Sequence, residues 1–403
     1  MKNIDIRHIK RKAEIAAEAY VALRLAELYE QNTQCVLHES CTSKKLSSNY
    51  QQYLADCKLN MTAKNVKVLD VEMEKQIRLS RSTAESVFNS CHGVISFDGD
   101  LVNIQNYNKL GLKEGIAQKA DLKIEVLNID GSPRLAKMFS VKQYEKFNNP
   151  QVCSGTYGST LAGLAFDNVG RGKFRSVLGE EFLSKDRSKT REMFAKHYGV
   201  VVCEYVDQMY EAQHSLSKWQ KTLVYPGDAK WKQICLETAK NTIPAFIKAL
   251  DIIYNSNPSA FKARLLARSG LTGEDEIVYT ALKGKTPITF NTFSDASFGT
   301  FIKNLSKKET KCDIIEHGQG VRMTIKGADN SDLLDIDMPL TVNKNGAWVM
   351  AKDGRYCKKS KKWCEYLELR PMKAKEMATS TNTWLRLKEA VFLPILKKRQ
   401  NIV

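Results

Sequence analysis

Two carboxylates and two lysines converge on one short segment. Residues 121–144, DLKIEVLNIDGSPRLAKMFSVKQY, hold two strand-like runs separated by Asp130-Gly131-Ser132-Pro133, the composition of a β-hairpin. Side chains alternate between the faces of a strand, and residues opposite each other share a face. A turn centred on Gly131-Ser132 puts Asp121 opposite Lys142, and one centred on Asp130-Gly131 puts it opposite Ser140. Both registers have the same parity. Asp121, Lys123, Glu125, Ser140 and Lys142 then share one face, while Leu122, Ile124, Phe139 and Val141 line the other. Antiparallel strands often turn a polar face to water, which is the plain explanation. A charged cluster on a well-covered sheet instead calls for a bound ion or a chemical purpose.

The elements around the hairpin must hold it in place. Residues 9–30 carry Ile9, Ala13, Ala16, Tyr20 and Leu23 at helical spacing with no Gly or Pro, so an amphipathic helix is predicted there; Glu14 and Glu18 lie one turn apart on a neighbouring stripe. A second helix is predicted over 68–90, followed by a strand at Val94-Ile95-Ser96-Phe97 and a turn at Asp98-Gly99-Asp100. After the hairpin, QVCSGTYGSTLAGLAF has the small residues of a tight turn leading into a closely packed helix. Residues 187–270 read as helical, with Asp228 as one cap and Asn257-Pro258 in the cap-then-proline order of another helix start. Beyond 276 the pattern turns to strands. The expected organisation of this α/β chain is a core over 1–180, a helical segment over 181–275 and a strand-rich basic region over 276–403.

Composition bounds the partner. The 403 residues include 62 Lys and Arg against 45 Asp and Glu, a formal charge of +17, and such an excess favours polyanions through counterion release. The last 63 residues contain 15 basic against five acidic side chains. Within them Lys352, Arg355, Lys358, Lys359, Lys361 and Lys362 are interleaved with Tyr356 and Trp363, suited to phosphate contacts with some stacking; a solvated lysine-rich loop is the alternative. Ten cysteines without C-x-x-C pairs fit reduced thiols in a cytoplasm. No apolar window reaches the length of a membrane span, and the charged N-terminus does not read as a signal peptide. The spacings of Cys312, His317, Cys357 and Cys364 match no compact zinc module. Phosphate-binding and dinucleotide glycine loops are missing, and so is H-E-x-x-H, which argues against ATP-driven, nicotinamide and metalloprotease chemistry.

The hairpin resembles the active-site hairpin of the PD-(D/E)XK nuclease superfamily, in which one strand supplies an Asp and the next an acid, any residue, and Lys. Asp121 matches the first position and Lys142 the last, but Ser140 stands where the second acid belongs. Some restriction endonucleases of similar pattern also carry Ser-x-Lys and recruit a carboxylate from elsewhere in the fold. The resemblance covers 121–144 directly, and 9–170 when the leading and following helices are counted. It implies a restriction-endonuclease-like mixed sheet flanked by helices. The implied activity is hydrolysis of phosphodiester bonds in double-stranded DNA, often by a homodimer, with magnesium as cofactor and manganese able to substitute. Carboxylate-held divalent cations polarise a scissile phosphate and acidify a bound water, and a nearby Lys positions that water or stabilises developing charge. In this scheme Asp121 is the main metal ligand, and Lys142 and Ser140 complete the catalytic set. Glu125 shares their face but lies roughly 13 Å along the strand from Asp121. Glu14 or Glu18 is the alternative, because the resemblance implies an N-terminal helix that projects a Glu into the site; an ordinary solvated helix face is the simpler view of both. Gln151 would orient a water or contact DNA, or is a polar turn residue. The rival from another class is a non-catalytic DNA- or RNA-binding protein whose hairpin charges are only surface.

Overall fold

The structure is a computed structural model that describes residues 6–59, 61–91, 99–106, 121–144, 151–166, 188–220, 228–269, 271–272, 275–283, 286–291, 296–342, 348–350, 356–357, 362–363, 369–371 and 379–386. The fold is mixed α/β. The chain divides into two compact units, one made of Met1–Asn148, Gly273–Ile302 and Glu389–Val403, the other of Asn149–Thr272 and Lys303–Lys388. The three consecutive regions expected from sequence are therefore interleaved: residues 276–302 return to the unit that holds the hairpin, and 149–180 leave it.

The first unit begins with α1 (Ile6–Asn32), β1 (Val36–Leu37), α2 (Ser43–Lys58), α3 (Ala63–Cys91), β2 (Leu101–Asn106), β3 (Leu122–Leu127) and β4 (Pro133–Tyr144). The second unit follows with β5 (Gln151–Thr156), α4 (Tyr157–Ala165), α5 (Ser188–Tyr198), α6 (Val200–Gln220), α7 (Asp228–Ser256) and α8 (Pro258–Arg268). β6 (Asp275–Lys283) and β7 (Thr286–Asn291) go back to the first sheet, and α9 (Ala296–Leu305) spans the division. Then come β8 (Lys311–Glu316), β9 (Gly320–Lys326), β10 (Asp332–Val342), β11 (Trp348–Met350), β12 (Tyr356–Cys357), β13 (Lys362–Trp363), β14 (Leu369–Pro371) and β15 (Thr379–Arg386). No helix among the described residues is long and apolar enough to cross a membrane.

The first sheet has the order β1-β2-β3-β4-β6-β7, with β1–β2 and β4–β6 parallel and the other pairs antiparallel. One of its faces is covered by helices. Ala13, Ala16, Ala17 and Ala26 leave α1 thin enough for α3 to come close, so that Ser80 Oγ on α3 donates to the Ala17 carbonyl at 3.0 Å. Beneath them Val102, Ile104, Leu122, Ile124, Val126 and Phe139 are at most 4 % exposed. A hydroxyl seam fixes α3 to the sheet: Gln143 donates to Ser80 at 3.2 Å and to Thr83 at 2.9 Å, and Thr83, Thr280 and Thr289 link onward at 2.8 and 3.0 Å. Each hydroxyl of this seam thus has the partner that burial requires.

The predicted helix over 68–90 starts earlier, at Ala63, and the strand signal over 94–97 lies outside the described residues. The helical reading of 187–270 holds as four helices, and Asn257 Oδ1 caps α8 by accepting the Ala260 N–H at 3.0 Å. The glycine-rich segment after the hairpin forms a strand as well as a helix; on that helix, a Cβ added at Gly163 would come within 3.3 Å of the Arg268 guanidinium, which accounts for the small residue. In the second unit the sheet order is β5-β15-β10-β9-β8.

Candidate active site

The hairpin turn is set by Asn128-Ile129-Asp130-Gly131. Gly131 N donates to Asn128 O at 2.9 Å, and Gly131 takes φ +79°, a left-handed conformation that glycine adopts without strain. Asp130 Oδ1 accepts from the Ser132 N–H at 2.8 Å and from Ser132 Oγ at 2.6 Å, which holds its carboxyl below the usual carboxylate range. The pairing that results has Leu122 opposite Phe139 and Ile124 opposite Lys137. Continued by one residue, it brings Asp121 opposite Ser140, the alternative that follows from a turn near Asp130-Gly131.

Asp121 stands where β3 begins. Its N–H donates to Phe139 O at 2.8 Å, and its side chain takes over the next place in the ladder: Oδ2 accepts the Val141 N–H at 2.7 Å. The same oxygen lies 3.4 Å from both Ser140 Oγ and Lys142 Nζ. Lys142 Nζ also donates to Ser140 Oγ at 3.0 Å and to Val141 O at 3.2 Å. Asp121, Ser140 and Lys142 therefore meet on one face, with about a fifth of the Asp121 and Lys142 side chains open to solvent, at 18 % and 22 %. This is a carboxylate pinned by backbone, beside an ammonium held by a hydroxyl.

Glu125 is used differently. Its Oε2 accepts from Gln105 Nε2 at 2.8 Å and Asn103 Nδ2 at 3.3 Å, and its other oxygen pairs with Lys123. At 5 % exposure, a carboxylate needs such a set of donors, and its neighbours supply them. Asn103 and Gln105 escaped the sequence reading; the alternation of LVNIQN, with Val102 and Ile104 buried, was the available signal. Lys137 projects onto the helix-covered face and donates to Ser90 O at 3.0 Å near the end of α3, as a cation at a helix C-terminus should.

The N-terminal glutamates are not gathered to Asp121 as the resemblance implied. Glu14 is exposed and Glu18 half-buried on α1, which packs through Ser80 and Gln143 on the face opposite Asp121 and Lys142. Among the described residues no group of three or more His, Cys, Asp or Glu side chains is arranged to hold a metal ion, so no three of Asp121, Glu125, Glu14 and Glu18 come together. What remains is one carboxylate with a hydroxyl and a carbonyl close by. All three are oxygens, the donor type magnesium takes, and the Lys142 ammonium already lies within 3.4 Å of each.

The remaining candidates fall elsewhere. Gln151 opens β5 in the second unit, where it pairs with Trp384. Lys362 pairs with Cys357 in the two-stranded β12–β13 ribbon, while Lys352, Arg355, Lys358, Lys359 and Lys361 lie outside the described residues, as does Cys364. Burial, followed by neighbouring Asp313, pushes the Cys312 thiol up to about 12, far from the thiolate a metal would take. Cys35, Cys41, Cys57, Cys91 and Cys203 are not joined in disulfides either. No protein-family model, curated protein or solved structure matches this chain.

Proposed function

We propose that this protein is a metal-dependent endonuclease that hydrolyses phosphodiester bonds of double-stranded DNA in a reducing, cytoplasmic setting, with a restriction-endonuclease-like core. The observation that carries the reading is the meeting of Asp121, Ser140 and Lys142 on one partly open sheet face of a chain with a charge of +17. A magnesium ion held at Asp121 would polarise the scissile phosphate and acidify a water. The protein's own groups do the rest. The Val141 N–H fixes the direction of the Asp121 carboxylate, and Ser140 and the Val141 carbonyl hold the Lys142 ammonium beside it, where it positions a water or meets charge developing on the phosphate. A two-fold dimer would suit the cutting of two antiparallel strands.

One observation favours a second reading, a non-catalytic nucleic-acid binder. Asp121 already has a structural task in closing the β3–β4 ladder, and Glu125 is saturated by Lys123, Asn103 and Gln105. Plasmid DNA incubated with the purified protein separates the two. Nicked or linear product in magnesium and none in EDTA supports the nuclease; salt-sensitive retardation of the plasmid without cleavage in either buffer supports the binder.

A further inference from the structure

The second sheet carries a group of charges that neither reading uses. In β9 and β10, Arg322 stands opposite Asp337 and Thr324 opposite Asp335; on the other side of β10, Asp335 stands opposite Arg386 of β15. Asp337 is 4 % exposed, and two guanidiniums reach it. Arg322 grips it as a fork, Nε to Oδ1 at 2.7 Å and Nη2 to Oδ2 at 3.1 Å, and Arg386 donates through Nε to Oδ2. Thr324 Oγ1 donates to Asp335 at 2.8 Å alongside. The opposite face of these strands is apolar, with Val321, Met323, Ile325, Leu334, Ile336 and Met338 all buried.

One bidentate arginine is enough to neutralise and hydrogen-bond a buried carboxylate. The second balances the neighbouring Asp335, so that two guanidiniums face two buried carboxylates, and it is the more open of the two, its side chain 42 % exposed against 24 % for Arg322. Each guanidinium has five N–H donors. Three bonds in all go to Asp337, and among the described residues neither guanidinium makes another. Asp337 thus holds two planar forks at fixed positions with donors to spare, and holding them fixed removes much of the entropy cost of binding. A fork of N–H groups fits the two unesterified oxygens of a phosphodiester. By strand alternation Lys326 shares this face, and Lys311 is its partner on β8; Lys326 is engaged by Asp313 and Lys311 is exposed.

We infer that Arg322 and Arg386, positioned by buried Asp337, form a phosphate-binding site for a nucleic-acid backbone. The inference rests on the reading that the partner is a nucleic acid, but not on cleavage. Binding of a fluorescent DNA duplex, followed by anisotropy in EDTA over a series of salt concentrations, tests it. Arg386→Ala leaves the Arg322–Asp337 fork intact, so the sheet should keep its thermal midpoint while Kd rises about fivefold and the slope of log Kd against log salt falls by about one. Arg386→Lys, which keeps the charge but not the fork, should retain most of the slope and only part of the affinity. Unchanged affinity and slope in Arg386→Ala would overturn the inference. So would a wild-type protein that inorganic phosphate stabilises against heat but that binds no duplex. If plasmid cleavage fails while the Arg386 slope effect appears, the phosphate site stands and the nuclease reading falls; the converse pairing keeps the nuclease and removes this site.

Discussion

Two hairpins in this protein close on the same turn and spend their carboxylates in opposite ways. In β3–β4, Asn128 N donates to Ser132 O at 2.8 Å around a left-handed Gly131, and Asp130 accepts from Ser132. In β9–β10, Gly327 N donates to Ser331 O at 2.8 Å around a left-handed Asn330, φ +61°, and Asp329 accepts from Ser331. The turn chemistry fixes register in both, and register decides which charges share a face. On the first, the carboxylate of Asp121 is held mainly by a backbone N–H, with Lys142 at the loose distance of 3.4 Å. On the second, Asp337 is locked between two guanidiniums. A lysine beside a carboxylate with about a fifth of its surface open leaves room for a cation or water to share it; two arginines on a buried one turn the carboxylate into a mount for the arginines. The same scaffold therefore offers a carboxylate in one place and a pair of guanidinium cations in the other.

The largest test of that contrast is Asp121→Asn. Asparagine keeps an oxygen for the Val141 N–H, so the ladder should survive and the free energy of unfolding in urea should change by less than about 1 kcal/mol. Cleavage should fall about a hundredfold or more, because a neutral amide is a poor ligand for a hard cation. Lys142→Ala should do the same without loosening the fold. Wild-type cleavage rates in either variant would remove the site assignment even if the protein cuts DNA.

Asp337→Ala should show the reverse pattern, with cleavage chemistry untouched at the hairpin and the second unit weakened. Deleting the carboxylate strands two guanidiniums against each other, but both keep some access to water, so the loss should be about 2–3 kcal/mol rather than that of a fully buried pair. Urea denaturation followed by far-ultraviolet circular dichroism measures it. A loss below about half a kilocalorie per mole, the level of an ordinary surface change, would mean that Asp337 does not organise the two arginines.

How much of this was legible follows from how local each signal is. The hairpin, the face shared by Asp121, Ser140 and Lys142, and the cap at Asn257 depend on alternation, turn residues and one helix end, and the sequence carries all three in adjacent positions. Glu125 was read by face alone, and its real partners, Asn103 and Gln105, come from another strand whose register no local pattern states. The placement of Glu14 and Glu18 depends on which side of the sheet α1 covers, a matter settled by the alanines that let Ser80 reach Ala17. The Asp337 cluster escaped because Arg386 pairs across β15, remote in sequence from β10. Domain limits were the least legible: β6 crosses back to lie parallel to β4 after the whole helical stretch, a long-range pairing with no compositional mark.

The smallest effect is a pH dependence that only the second hairpin should show strongly. Burial by itself would raise the Asp337 carboxyl, but the hydrogen bonds and charges of Arg322 and Arg386 outweigh it and hold the group below the usual carboxylate range. With the folded value depressed, the unfolded chain binds more protons as the pH approaches the ordinary Asp value of about 3.9, and stability there rises with pH. The contribution is thus complete above that value and is lost as the pH falls through the lower, folded one. Asp130 and Asp329 are lowered in the same sense by their serines, but both are fully exposed and remain in an Asp337→Asn variant. The difference in urea midpoint between wild type and Asp337→Asn should therefore stay level from neutral pH to about 4 and shrink only below it. A difference that instead grows in favour of the wild type as the pH falls from 6 to 4 would mean that burial wins at Asp337, and that the two arginines do not hold its charge.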